Sequence, residues 1–192
     1  MNICVYGASS PDIDPIFFEE TEKLGRMMAS KGHGLVFGGG AQGLMGAAAR
    51  GVHEMGGEIV GVAPTFFRGV DGILYENCTE FVYTETMRER KKIMEDRSDA
   101  FVVTPGGIGT FEEFFEILTL KQLGRHHKPI VIFNVMGYFD SMKAMMENAI
   151  DKAFMKPVCR ELYAFLDTPE EVLKYLEQYT ATQADAKYYK NI

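Results

Sequence analysis

The amino-acid sequence predicts a doubly wound α/β domain, a parallel sheet with helices on both faces. Three observations lead there. The apolar residues of the candidate strands come in short unbroken runs, such as Ile3-Cys4-Val5-Tyr6 and Ala100-Phe101-Val102-Val103. Strands of that kind are buried on both faces, as in parallel sheets. Longer stretches with helical spacing separate the runs, and strand–helix–strand alternation closes as right-handed crossovers. Glycine clusters follow several runs, at the strand ends where open α/β sheets bind ligands.

Taken in order, Ile3–Tyr6 is the first strand and ends at Gly7-Ala8-Ser9-Ser10. A helix is expected from about Pro15 to Ser30, with Phe17, Leu24, Met27 and Met28 on one side. Gly32 and Gly34 end it, and Leu35-Val36-Phe37 is the second strand. Gln42 to Met55 reads as a helix, Ile59–Val62 as the third strand and residues 64–79 as a loop holding Pro64, Gly69 and Gly72. Phe81-Val82-Tyr83 is a short strand before a charged helix over Glu85–Arg97. The strand at 100–104, a helix over Thr110–Leu123, the strand Ile130–Phe133 and a helix from about Tyr138 to Ala153 follow. Ala164-Phe165-Leu166 is a last strand, and Pro169 opens a helix ending near Tyr179. The chain is expected to form one domain over residues 1–180, with a polar, frayed tail over 181–192.

Composition narrows the function classes. The 192 residues suffice for one sizeable core. The net charge of −7 argues against a general nucleic-acid binder. The three cysteines, Cys4, Cys78 and Cys159, lie far apart and fit neither a disulfide framework nor a metal site, so a reducing cytoplasm is expected. No apolar run approaches the roughly 20 residues of a membrane helix. Met1 runs straight into a strand-like segment, with no basic n-region and no signal-type apolar stretch, so no secretory leader is expected.

The segment Thr104-Pro105-Gly106-Gly107-Ile108-Gly109-Thr110-Phe111-Glu112-Glu113 carries the most chemistry. A strand that breaks into glycines and re-enters a helix makes an anion site. Its N–H groups approach a phosphate, and the helix N-terminus adds positive charge. Gly38-Gly39-Gly40-Ala41-Gln42-Gly43 is a second glycine loop, expected on the same rim as Ser9, Ser10 and the Gly106–Thr110 loop. It matches G-x-G-x-x-G, but it follows the second strand, and the next strand ends in Val62-Ala63-Pro64 without an acid, so a dinucleotide oxidoreductase is disfavoured. Neither loop ends in the Lys-Ser/Thr of a P-loop.

The charged helix holds Met87-Arg88-Glu89-Arg90-Lys91-Lys92-Ile93-Met94. Met87 and Met94 are expected to face the protein, with Arg90 and Lys91 on their stripe and Arg88 and Lys92 solvated. Cations on an inward stripe need an anionic partner. Glu113 shares a stripe with Ile117 and Leu120 and is expected inside, in the first turn of its helix. Thr110-x-x-Glu113 also fits a capping box, and the two readings can coexist. His126 and His127 are expected in an exposed turn, and none of the four histidines has metal-ligand spacing.

Three motifs together resemble the Lonely Guy (LOG) family of cytokinin riboside 5′-monophosphate phosphoribohydrolases: Gly38-Gly39-Gly40-Ala41-Gln42-Gly43-Leu44-Met45-Gly46, Met87-Arg88-Glu89-Arg90-Lys91, and Pro105-Gly106-Gly107-Ile108-Gly109-Thr110-Phe111-Glu112-Glu113. The resemblance runs from the first strand to Leu123-Gly124 and Lys128-Pro129. It implies a Rossmann-like fold, a homodimer, and cleavage of a nucleoside monophosphate to free base and ribose 5-phosphate without metal or cofactor. Arg90 and Glu113 would be the catalytic pair. Ser9, Ser10, Gly39, Gly40, Gly43, Met87, Lys91, Pro105, Gly106, Gly107, Ile108, Gly109 and Thr110 would bind the substrate. The family's helix motif commonly reads M-H-x-R-K, and Arg88 stands where the histidine would be, which bears on base preference. The family's frequent label of lysine decarboxylase finds no support in an evident pyridoxal-phosphate lysine motif. A non-catalytic carrier of a nucleotide or phosphorylated cofactor is the alternative.

Overall fold

The computed structural model describes residues 1–181 and 186–190. Seven strands form one parallel sheet: β1 (Asn2–Tyr6), β2 (Gly34–Phe37), β3 (Ile59–Pro64), β4 (Glu80–Thr84), β5 (Ala100–Val103), β6 (Ile130–Phe133) and β7 (Ala164–Leu166). Their order across the sheet is β4-β3-β2-β1-β5-β6-β7, and every neighbouring pair is parallel. The connecting helices are α1 (Pro15–Ser30), α2 (Gly43–Glu54), α3 (Met87–Asp96), α4 (Ile108–Gln122), α5 (Asp140–Asp151) and α6 (Pro169–Gln178). This is the Rossmann-like doubly wound architecture the sequence predicts. Among the described residues no helix is long and apolar enough to cross a membrane.

Unbroken apolar strands are explained by the two cores they serve. Ile3 and Val5 of β1 join Leu24 and Met28 of α1, Ala48 and Val52 of α2, and Val172, Leu173 and Leu176 of α6 on one face. Cys4 and Tyr6 point the other way, toward Met94 of α3, Phe114 and Ile117 of α4, and Met142 and Met146 of α5. Alternating Cβ directions bury the side chains of β2, β5 and β6 on both faces along their whole length, and these strands hold no polar side chain.

The chain winds outward from β1 to β4, then crosses back so that β5 pairs with the other edge of β1. Ligands bind outside the carboxyl ends of the strands at such a reversal. Here the two strand ends are tied together: the Thr104 backbone N–H donates to the Tyr6 carbonyl at 2.8 Å, its hydroxyl donates to the same oxygen at 2.9 Å, and Ala8 N–H donates to Pro105 O at 3.0 Å. The start of α2 packs onto the same loop. Leu44 N–H donates to Ala8 O at 2.8 Å, and a Cβ on Gly43, whose φ is +60°, would stand 2.2 Å from that oxygen. The three loops thus meet as one rim.

Several expectations need correction. Helix α4 begins at Ile108, not Thr110, with Gly107 as its N-cap and no side-chain cap bond. Glu113 therefore lies in the second turn and takes no part in a capping box. His126 is buried, its ring 2.8 Å from the Ile117 carbonyl, and not exposed. Of the C-terminal residues expected to fray, Ala186–Tyr189 form a short helix, α7, and Tyr189 is buried on the core that holds Cys159 and Leu162; residues 182–185 and 191–192 lie outside the described residues.

Candidate active site

The rim opens into a cleft of about 590 Å³. Its floor is built by α3 and α4. Helix α3 is fixed by a capping box: Glu89 N–H donates to the Thr86 hydroxyl at 3.2 Å, and Thr86 N–H donates to the Glu89 carboxylate at 3.1 Å. One turn on, Arg90 turns inward and is 6% exposed. Its Nε donates to the carbonyl of Val62 at the end of β3, at 3.1 Å, and its Nη1 donates to Glu113 Oε1 at 2.8 Å. Glu113, on the inward stripe of α4, is 9% exposed. The sequence-predicted catalytic pair is a buried ion pair. Burial pushes the Glu113 carboxyl above the usual carboxylate range, and the Arg90 guanidinium beside it holds that rise in check.

At one end of the cleft lies the first turn of α4. Gly107, Ile108, Gly109 and Thr110 line it. The first N–H groups of a helix have no carbonyl partner within it, and with Gly107 as a cap lacking a side chain they face the cleft. This end is suited to an anion. Glu113 is five residues from Ile108, about 7–8 Å along the helix axis.

The cleft also has an apolar wall. Met45 and Met87 contribute to it, with Phe67, Ile73 and Leu74 from the segment expected only to connect β3 to β4. That segment is drawn across the rim by backbone bonds. Ala41 N–H donates to Ile73 O at 2.8 Å, Tyr75 N–H donates to Gly39 O at 2.9 Å, and Gly40 and Leu74 form an antiparallel bridge. The apolar residues inside an otherwise polar loop, Phe66-Phe67 and Ile73-Leu74, were the available signal.

The remaining expected site residues divide. Ser9 and Gly40 line the cleft. Ser10 does not, and its hydroxyl accepts from Asp12 N–H at 3.3 Å. Gly39 lies under the Phe81 ring, and Gly43 is buried against Ala8. Pro105 and Gly106 build the loop from behind, with their carbonyls accepting from Ala8 N–H and, at 2.7 Å, from the Tyr138 hydroxyl. Met87 is 46% exposed at the cleft mouth, whereas Met94 is in the core, so the two do not share one environment. Lys91 turns away from the cleft to pair with Glu112 and Glu116 of α4. It neutralises Glu112, which edges the cleft, instead of facing it. Arg88 is exposed on α3, outside the cleft.

Comparison with known proteins bears on this site. The profile of a family described as "Possible lysine decarboxylase" matches residues 45–176. A probable cytokinin riboside 5′-monophosphate phosphoribohydrolase of Oryza sativa subsp. japonica is 38% identical over 184 residues, covering 96% of this chain and 74% of the relative. A cytokinin riboside 5′-monophosphate phosphoribohydrolase of Arabidopsis thaliana is 36% identical over 179 residues, covering 92% of this chain and 82% of the relative. Among solved structures, the molybdenum cofactor carrier protein of Chlamydomonas reinhardtii is similar with a TM-score of 0.69 at 23% identity, over 92% of this chain and 96% of that one. The molybdenum cofactor binding protein of Rippkaea orientalis gives 0.70 at 19% identity, over 92% and 94%. At these identities the structural likeness concerns the fold alone.

Proposed function

The chain belongs to the Lonely Guy (LOG) family, and we propose that it is a hydrolase cleaving the N-glycosidic bond of adenosine 5′-monophosphates, N6-modified or plain. The products are free base, a cytokinin or adenine, and ribose 5-phosphate. The observation that carries this reading is the buried Arg90–Glu113 pair at 2.8 Å in a cleft lined also by a helix N-terminus and by apolar side chains.

In this reading the 5′-phosphate sits on the N–H groups at the start of α4, and the ribose spans the distance to Glu113. The base lies against Met45, Met87, Ile73 and Leu74. Cleavage passes through an oxocarbenium-like sugar, which the Glu113 carboxylate stabilises while it takes a proton from the attacking water. The C1′–N bond breaks, the water oxygen bonds to C1′, and the base leaves with its electron pair and takes a proton from solvent, while Glu113 releases to solvent the proton it took from the water. Arg90 orients the carboxylate and favours its ionised form against the effect of burial. Ser9 is placed to hydrogen-bond ribose or phosphate. Among the described residues no lysine lines the cleft, so a decarboxylase using a lysine Schiff base finds no candidate there. A carrier of a nucleotide or phosphorylated cofactor uses the anion end but has no need of the buried pair. The homodimer belongs to the same reading, supported by the bare Ile108 and Phe154 side chains, each 87% exposed; light scattering on the purified chain reads it.

The test is chromatographic. Purified protein is incubated with AMP and separately with N6-isopentenyl-AMP, without added metal, and free base and ribose 5-phosphate are followed. Release that Glu113→Gln abolishes supports the reading, and the ratio of the two rates measures the preference for a modified base. Tight nucleotide binding without release turns the assignment to a carrier.

A further inference from the structure

We propose that Gly38 is a positioning residue for this reaction: the space left by its missing side chain is the seat of the Arg90 guanidinium, which it keeps against Glu113. The inference rests on the functional reading above and adds a role for the first glycine of the Gly38-Gly39-Gly40 run.

The backbone does not require glycine here. Gly39 has a φ of +74° and Gly43 one of +60°, but Gly38 is not among the positive-φ residues, so its backbone suits any L residue. Space is what excludes a side chain. A Cβ on Gly38 would stand 1.8 Å from Arg90 Nη2, 2.9 Å from its Cζ and 3.1 Å from Met45 Sδ. The guanidinium cannot yield without loss. It is planar, its Nε is held by Val62 O at 3.1 Å, and its Nη1 is held by Glu113 at 2.8 Å, so Nη2 is directed at Gly38 by the other two bonds. A methyl group at residue 38 therefore moves the whole fork and with it the carboxylate. The glycine run that reads as an anion loop begins with a residue that serves a cation.

Gly38→Ala, Arg90→Lys and the double variant test this. In Gly38→Ala, kcat for nucleotide cleavage is expected to fall by about 10²-fold, the cost of a misplacement near 1 Å, with KM little changed because the α4 N-terminus is untouched. The acid limb of the pH–rate profile moves to higher pH, since Glu113 loses the neighbour that lowers its pKa while Glu112 and Lys91, the other charges beside it, stay. Lysine has neither Nη2 nor Cζ. The alanine is therefore expected to lower Tm in the wild-type background and to leave it unchanged in the Arg90→Lys background. Equal Tm losses in both backgrounds, or wild-type kcat in Gly38→Ala, overturns the proposal. If the wild-type protein cleaves no nucleotide, the functional reading fails by itself, and the melting cycle still confirms or overturns the seat.

Discussion

Replacing Arg90 with methionine keeps the apolar stem and removes the charge, leaving Glu113 buried without its cation. The side chains of the pair are 8% and 10% exposed, so solvent screens neither charge. Two unit charges about 4 Å apart attract by about 4 kcal/mol at an effective dielectric constant near 20. Loss of one partner from a buried pair costs about 3–5 kcal/mol. The protein can limit that cost by protonating Glu113, and this sets a pH dependence. Burial already raises the Glu113 carboxyl above its ordinary 4.5, and Arg90 is the largest influence lowering it. Without Arg90 the folded state holds its proton more tightly still. Between 4.5 and the raised folded value, the folded chain then binds more protons than the unfolded one, and stability falls as pH rises by up to about 1.4 kcal/mol per pH unit. Urea melts of Arg90→Met should thus show a loss of about 3–5 kcal/mol at pH 8. At pH 5 the loss should shrink to about 1–3 kcal/mol, the cost of a neutral buried group lacking its hydrogen bond. A domain stability in the upper part of the usual range of about 5–15 kcal/mol leaves the variant folded at both values. Equal losses at pH 5 and pH 8, or a loss below about 1 kcal/mol at pH 8, would refute the view of a buried, mutually dependent pair.

Glu113→Gln should lower turnover by about 10²–10⁴-fold while AMP binding by calorimetry persists, because the shape stays and the base is gone; near-wild-type turnover would remove Glu113 from the reaction. A Cβ on Gly107 meets nothing within 4 Å, so Gly107→Ala should fold with an unchanged Tm, but its methyl group enters the anion end and should raise KM. Gly106→Ala is the contrast, since its Cβ would stand 2.2 Å from Thr110 Oγ1 and 3.0 Å from Ala8 N; a marked Tm loss is expected by calorimetry. Burial pulls the His126 imidazole down to about 4 from 6.5. The unfolded chain therefore takes up the proton first, and stability is lost as pH falls from 6.5 toward 4, by about 3 kcal/mol in full. His126→Gln should flatten that part of a urea-melt pH series.

The strands were legible because burial on both faces leaves an unbroken apolar run, which few other environments produce. The misread features share another cause: local patterns whose meaning depends on where the chain comes from. T-x-x-E occurs at Thr86–Glu89, Thr110–Glu113 and Thr168–Glu171. The first and third are capping boxes. The second is not, because the turn at Gly106-Gly107 has already started α4 and carries Thr110 and Glu113 inside it. His126 looked like a turn residue, yet the end of α4 offers it the Ile117 carbonyl in the core. Lys91 shares a helical stripe with Arg90, but α4 presents Glu112 and Glu116 to one and Glu113 to the other, and only the latter lies at the cleft floor. The Phe67–Leu74 wall was hidden because a backbone bridge to Gly40, and no local periodicity, brings it to the site.

The same pair also answers why the fold keeps a charge where it could keep a hydrocarbon. Buried ion pairs contribute little net stability, because desolvation consumes much of the attraction, and well-packed apolar replacements of similar volume are often as stable or more so. The described residues that cluster with Met94, Phe114 and Ile117 are hydrophobic. Arg90 and Glu113 interrupt that core beside the carboxyl-terminal half of β3, and both line the cleft. If catalysis and not stability keeps these two residues, a joint replacement such as Arg90→Met with Glu113→Leu should melt no lower than the wild type, and it should lose all cleavage. If the double replacement melts several degrees lower instead, the pair is a structural fastener, and its place in the cleft ceases to argue for chemistry.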